Sequence, residues 1–198
     1  MGVPEIAIGT SSDATASEAT ASDGPAIEVL DPAAYEAAIP ELATLIVDAV
    51  EGGASVNFMA GVTETEAAAW WLARVPQVAD GTITVFVARD PGSRALVGST
   101  ILIRSRNANA PHRAEVGKVM VRRSHRRRGL GRALMAAVEN HARAEGRWLL
   151  ILDTEAGSAA DALYRATGWQ VLGTMPNHAY RSDGRISDTT YFWKDLRG

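Results

Sequence analysis

The chain has 198 residues, 46% of them hydrophobic and 22% charged, with a formal net charge of −3. That size and balance suit one folded domain with an extension, and the slight negative charge excludes a surface basic all over for wrapping nucleic acid. The absence of cysteine removes disulfides, thiolate metal sites and any covalent intermediate on a thiol. Residues 1–25 are rich in Ala, Ser, Thr, Asp and Glu without apolar periodicity, so they read as a disordered tail ahead of a domain spanning 26–198. No apolar run approaches the roughly 18–20 residues that span a bilayer, and no basic start leads into an apolar block. The expectation is a cytoplasmic protein with no membrane partner.

A short strand is expected at Ala26–Leu30, then a helix over Ala33–Val50 with Leu42, Leu45, Ile46 and Ala49 at helical spacing. Pro40 is expected to start or kink part of that helix. A glycine-bounded loop of unusual apolar content, Glu51–Gly61, precedes a capping box at Thr63–Glu66 that opens a second helix running to about Val75, with Pro76 near its end. Thr82–Arg89 and Ala95–Arg104 read as a hairpin around the turn Asp90-Pro91-Gly92-Ser93. Arg113–Val121 is a further strand, and Gly129–Glu145 an amphipathic helix with Leu130, Leu134 and Val138 on one stripe, ended by Gly146.

Trp148–Asp153 is an apolar strand of the kind covered on both faces. Ser158 caps a helix that runs to Thr167. Gln170–Met175 and Thr189–Lys194 are the last strands, joined by a polar loop. The sum is an α/β (α+β) fold: a mixed, mostly antiparallel sheet of seven strands, one parallel pair, and helices on both faces.

The chemistry concentrates where Val119-Met120-Val121 runs through Arg122–Arg128 into Gly129-Leu130-Gly131-Arg132. The first amides of a helix have no internal partner, and the macrodipole is positive there. A phosphate placed at that end meets orphan donors, glycines leave room for it, and Arg126, Arg127, Arg128 and Arg132 add charge. A dinucleotide fingerprint fails because Leu134 stands where its last glycine belongs. A nucleotide P-loop fails for want of Gly-Lys-Ser or Gly-Lys-Thr. A plain basic turn that touches nucleic acid lacks aromatic interleaving or a basic stripe, so no nucleic-acid partner is expected. His112, His125, His141 and His178 show no ligand spacing, so no metal is expected.

This segment resembles the signature of the Gcn5-related N-acetyltransferase (GNAT) superfamily, with Arg126, Gly129 and Gly131 at its fixed positions. Leu163-Tyr164-Arg165-Ala166-Thr167-Gly168-Trp169 is similar to that family's later Leu-Tyr-x-x-x-Gly-Phe element, with Trp169 in place of Phe. Gly52–Val56, Arg113–Val116, Leu152–Ser158 and Tyr191-Phe192 further resemble tabtoxin resistance-like acetyltransferases. The resemblance implies the GNAT fold, with the parallel pair around the cofactor, and acetyl-CoA as cosubstrate. It also implies a small-molecule amine acceptor, such as an antibiotic or toxin, with a protein or peptide amine as the alternative, and allows a homodimer through the late strands. It assigns the cofactor to Val119, Met120, Val121, Arg126–Arg132, Ser158 and Tyr164. Where the family usually carries Asn near the start of the Ser158 helix, this chain has Gly157-Ser158-Ala159.

An alkylammonium has a pKa near ~10 and must lose a proton before it attacks. Glu115 and Asp153, on neighbouring parallel strands, are the candidate acceptors of that proton and the candidate contacts to the substrate cation. Either could instead be an ordinary strand residue. A backbone N–H near Val121 is expected to face the thioester oxyanion if the strand splays there, and Gly117 hints at a bulge. The resemblance gives Tyr164 the proton for the leaving thiolate; its plainer role is a core tyrosine. Asn57 and Phe58 are expected, by analogy, on a loop over the substrate.

Overall fold

The computed structural model of this chain describes residues 26–198. The tail read for residues 1–25 lies outside the described residues. β1 (Ile27–Leu30) leads into α1 (Pro32–Glu51), which starts on Asp31, whose carboxylate accepts from the Ala34 N–H at 2.8 Å. Pro40 neither starts nor ends α1; the helix runs through it. The bond a proline forfeits is offset there by a buried face that includes Leu42, Leu45, Ile46 and Ala49.

The capping box forms as expected: Thr63 accepts from the Glu66 N–H while the Glu66 carboxylate accepts from the Thr63 N–H, opening α2 (Glu64–Leu72). The helix expected to reach Val75 stops at Leu72 instead, and α3 (Val75–Ala79) begins anew with Pro76 in its first turn. Proline has no N–H to return to the preceding turn, but its fixed φ suits a helix start.

β2 (Ile83–Arg89), β3 (Leu96–Arg104) and β4 (Arg113–Val121) follow as an antiparallel meander, then α4 (Leu130–Ala144), β5 (Leu149–Glu155) and α5 (Ala159–Ala166). β6 (Gln170–Tyr180) and β7 (Ile186–Asp195) close the chain as a hairpin. Both run well beyond the expected ends, so the polar loop contracts to a tight turn around Ser182-Asp183-Gly184. β6 is an exposed edge strand, broken by a register shift around Pro176 and Asn177, and its polar residues hide it from an apolar pattern.

Among the described residues seven strands lie in the order β1-β2-β3-β4-β5-β7-β6, with β4 and β5 as the one parallel pair. α1, α2 and α3 pack on one face over Val85, Val87, Ile101 and Met120. α4 and α5 pack on the other, over Phe86, Leu102, Val116, Leu150 and Phe192. No helix among the described residues is long and apolar enough to cross a membrane.

Candidate active site

The parallel ladder is short. It pairs Arg113 with Leu149, Ala114 with Leu150 and Glu115 with Ile151, and goes no further, although β4 continues to Val121 and β5 to Glu155. The two strands therefore part, leaving an opening in the middle of the sheet. Arg122 donates its N–H to Val97 on β3. Successive amides of an extended strand point to opposite sides, so the Val121 N–H points away from β3 toward this opening. The Val121 carbonyl points the same way and accepts from Arg126 Nε at 3.1 Å.

α4 starts beside the opening. Asp31, Thr63 and Ser158 cap α1, α2 and α5 with side chains, whereas Gly129 gives α4 none. The first intrahelical bond runs from Ala133 N–H to the Gly129 carbonyl, which leaves the amides of Leu130, Gly131 and Arg132 without a backbone acceptor in the helix. Arg127 and Gly129 both hold positive φ, at 62° and 80°, and this turns the chain tightly into the helix. Arg127, Arg128 and Arg132 are exposed around that end, with an Arg132 guanidinium N–H reaching the Ala166 carbonyl at 3.4 Å. A diphosphate fits such an end, because donors and charge are present and no side chain occupies it.

Gly131 has a different use from Gly129. A Cβ on Gly131 would lie 3.1 Å from Leu163 Cδ2, so this glycine sets the approach of α4 to α5. Leu130 is buried, and the side chains of Val119 and Val121 pack toward the α4 layer while Met120 packs toward α1. These residues offer the opening their backbone. Ser158 Oγ is occupied as a helix cap, accepting from the Asp161 N–H at 3.2 Å.

Glu115 and Asp153 share the sheet face opposite Ala114, Val116, Leu150 and Leu152, all of which are buried under α4 and α5. Both carboxylates are open to solvent, with no ion pair within 4.0 Å among the described residues. Partial burial of the carboxyl group and the neighbouring Asp153 charge raise the Glu115 pKa. Tyr164 comes from the other layer, where its ring packs on Trp169 and Phe192 and is 4% exposed. Its hydroxyl has no hydrogen bond among the described residues; burial, with Asp153 adding to it, holds the proton on well above the usual phenol range. Asp153 thus adds to the raised pKa of both Glu115, on its own face of the sheet, and Tyr164, in the other layer.

Sequence reasoning missed Lys118. It sits at φ 51° in a bulge where Lys118 and Val119 stand against Thr100 alone, between the pairs Ile101–Gly117 and Ser99–Met120. Ser99 Oγ donates to the Lys118 carbonyl at 3.2 Å and Thr100 Oγ1 to that of Gly117 at 3.3 Å, which secures the bulge from buried hydroxyls. In a regular strand, residues three apart face opposite ways; the bulge instead brings Lys118 to the face of Glu115, with Nζ 4.5 Å from the Trp70 ring centre. Burial, Arg74 foremost among its neighbours, and the counter-pull of Asp153 and Glu115 set its pKa down at about 8. The one signal in the sequence was a lone lysine in an apolar strand next to Gly117.

Trp70 also meets Phe58 edge-to-face at 6.2 Å, and this places the loop between α1 and α2 beside Lys118. Asn57 lies exposed on that loop at φ 67°. The Ala60 N–H donates to the Ser182 carbonyl at 2.9 Å, tying the loop to the β6–β7 turn. Across the sheet Asp153 pairs with Tyr191, whose hydroxyl is 3.1 Å from His178 Nε2. Glu115 and Asp153 thus face the side of the sheet on which this loop packs, with the late hairpin running beside Asp153. No group of three His, Cys, Asp or Glu that could hold a metal lies among the described residues.

A splayed parallel pair beside an uncapped, arginine-rich helix start is the architecture of a transferase that cradles a diphosphate-bearing cosubstrate. The chain belongs to the acetyltransferase (GNAT) family, whose model matches residues 55–169, more than half of its length. It is an N-acetyltransferase with acetyl-CoA as cosubstrate. Among solved structures it is similar to a ribosomal-protein-alanine N-acetyltransferase from Brucella melitensis (29% identity, TM-score 0.68, 86% of this chain and 99% of that one). Two more distant structures share the fold. One is yncA from Salmonella typhimurium, solved with its cofactor acetyl-CoA (23%, 0.68, 88% and 95%). The other is an N-acetyltransferase from Staphylococcus aureus Mu50 (20%, 0.70, 88% and 99%).

Proposed function

We propose that a domain spanning residues 26–198 transfers acetyl from acetyl-CoA directly to the amine of a small molecule held in a cleft over Glu115 and Asp153. The observation that carries this reading is the pair of unpaired carboxylates at the end of the parallel ladder, next to the strand opening. The amides of Leu130, Gly131 and Arg132, with Arg127 and Arg128, bind the cosubstrate's diphosphate, and the free backbone edge of Val119–Val121 lies along its arm. Bound there, acetyl-CoA supplies an activated thioester.

Glu115 or Asp153 attracts the ammonium and takes its proton, directly or through water. A raised pKa suits Glu115 to that work, since it makes the carboxylate a stronger base. The Val121 N–H points where negative charge develops on the acyl oxygen. Tyr164 keeps its proton at neutral pH and donates it to the departing thiolate. Phe58 and Asn57 cover the acceptor. The four sequence blocks similar to tabtoxin resistance-like enzymes support a toxin or antibiotic as that acceptor.

The chain has no cysteine to carry the acetyl group, which supports a ternary complex; parallel rather than intersecting lines in double-reciprocal initial-rate plots would reject it. A thiol-release assay against small amines and against peptides tests the acceptor. The likeness to a ribosomal-protein-alanine N-acetyltransferase favours a second reading, a peptide N-terminus, and faster turnover of peptides would select it. Exposed Leu172, Met175 and Ile186 on the last two strands support a homodimer through that edge, which sedimentation would test.

A further inference from the structure

We propose that Lys118 and Arg74, gathered on the indole of Trp70 without an acidic partner, form an anion subsite beside Glu115 and Asp153, so that the acceptor is an amine that also carries a carboxylate. This rests on the cleft reading above and narrows its substrate class.

The geometry is unusual in what it leaves unpaired. The Arg74 guanidinium carbon lies 3.1 Å from the centre of the Trp70 ring, and Lys118 Nζ lies 4.5 Å from the same centre. Arg74 spends one N–H on the Trp70 carbonyl at 2.6 Å. Neither cation has an acidic partner within 4.0 Å among the described residues. Two like charges on one indole repel each other, and each has lost water. Most arginines around the same fold are engaged otherwise: Arg123 on Asp48 and Glu51, Arg89 on Glu28 and Arg104 on Glu145.

A structural lysine could keep its stem under Trp70 and its head in water. Lys118 is instead turned inward by a left-handed bulge, secured by Ser99 and Thr100, toward the face of the two carboxylates. The cleft thus has an acidic side and a basic side. The acidic pair attracts an ammonium; the basic pair lowers the energy of a carboxylate and fixes which end of the molecule meets the acyl group.

The test compares amino carboxylic acids of increasing chain length with their carboxamides as acceptors, first for the unaltered enzyme and then for Lys118→Met and Lys118→Arg. For the unaltered enzyme, kcat/KM for the best acid should exceed that of its carboxamide by about tenfold or more. Lys118→Met should erase most of that ratio, mainly through KM, and Lys118→Arg should retain it. A ratio near one in the unaltered enzyme overturns the inference, as does a ratio unchanged in Lys118→Met. So does a loss confined to acetyl-CoA affinity, which would move these cations to the cosubstrate. Acetylation of carboxamides alone would sink this inference and leave the cleft reading intact. Absence of transfer to any amine would sink both.

Discussion

Glu115 closes the parallel ladder opposite Ile151, and Asp153 stands two residues further along β5 on the same face, where the strands have already parted. Paired backbone holds one carboxylate rigidly at the edge of the opening, and the other projects beside it. Burial first, and then the Asp153 charge, raise the Glu115 pKa.

Replacing either acid by its amide should lower kcat by about a hundred- to ten-thousand-fold if that residue is the base, and leave acetyl-CoA affinity within about twofold. Steady-state rates beside calorimetric titration separate the two effects. Asp153→Asn should also lower the Glu115 pKa, because one of the two influences that raise it is removed.

The pH profile follows from the signs. A base with a raised pKa is protonated and idle below that value, so kcat/KM should climb with pH through a midpoint above the usual carboxylate range. Lys118 carries its charge below about 8 and loses it above. Burial and Arg74 push that value down, and Asp153 and Glu115 push it up. With a carboxylated acceptor, kcat/KM should therefore fall again past about 8, and Asp153→Asn should move the fall to lower pH. Rates measured across the range with an acid and its carboxamide check both limbs.

Tyr164→Phe should separate chemistry from packing. The hydroxyl has no hydrogen-bond partner among the described residues, and the ring supplies the contacts to Trp169 and Phe192. Thermal stability should change by less than about 0.5 kcal/mol, while turnover falls about tenfold or more. Equal losses in both would return Tyr164 to a purely structural role.

Behind α5, Glu139 accepts from Trp169 Nε1 at 3.0 Å and pairs with Lys194 at 2.8 Å; Lys194 also donates to the Thr167 carbonyl. This network holds the turn after Tyr164. Glu139→Ala strands Lys194 and Trp169 Nε1 in a largely buried site and should cost about 3 kcal/mol, read from denaturant unfolding. Glu139→Gln should cost less.

What the sequence revealed was what local chemistry dictates. The Thr63–Glu66 box, the Ser158 cap and the Gly129–Gly131 helix start each depend on residues within a few positions, and each lies where the spacing put it. The break between α2 and α3 depended on which of two turns Pro76 would serve. The length of β6 was hidden because an edge strand needs no apolar alternation, and the early start of β7 opposite the end of β6 was hidden with it. Lys118 was hidden most deeply. Its bulge is a left-handed turn at a non-glycine residue, and the indole it meets is contributed by α2, far away in the chain.

Whether the amides at the start of α4 hold the diphosphate is decided by one thermodynamic cycle. Calorimetry would compare acetyl-CoA with acetyl-pantetheine, which lacks the diphosphate, for the unaltered enzyme and for Gly129→Val. A β-branched residue at φ 80° distorts the turn, while its Cβ meets no neighbour within 4 Å, so packing is spared. Acetyl-CoA should bind the unaltered enzyme far more tightly than acetyl-pantetheine, and most of this advantage should disappear in Gly129→Val. An advantage of the same size in both proteins would contradict this placement of the diphosphate.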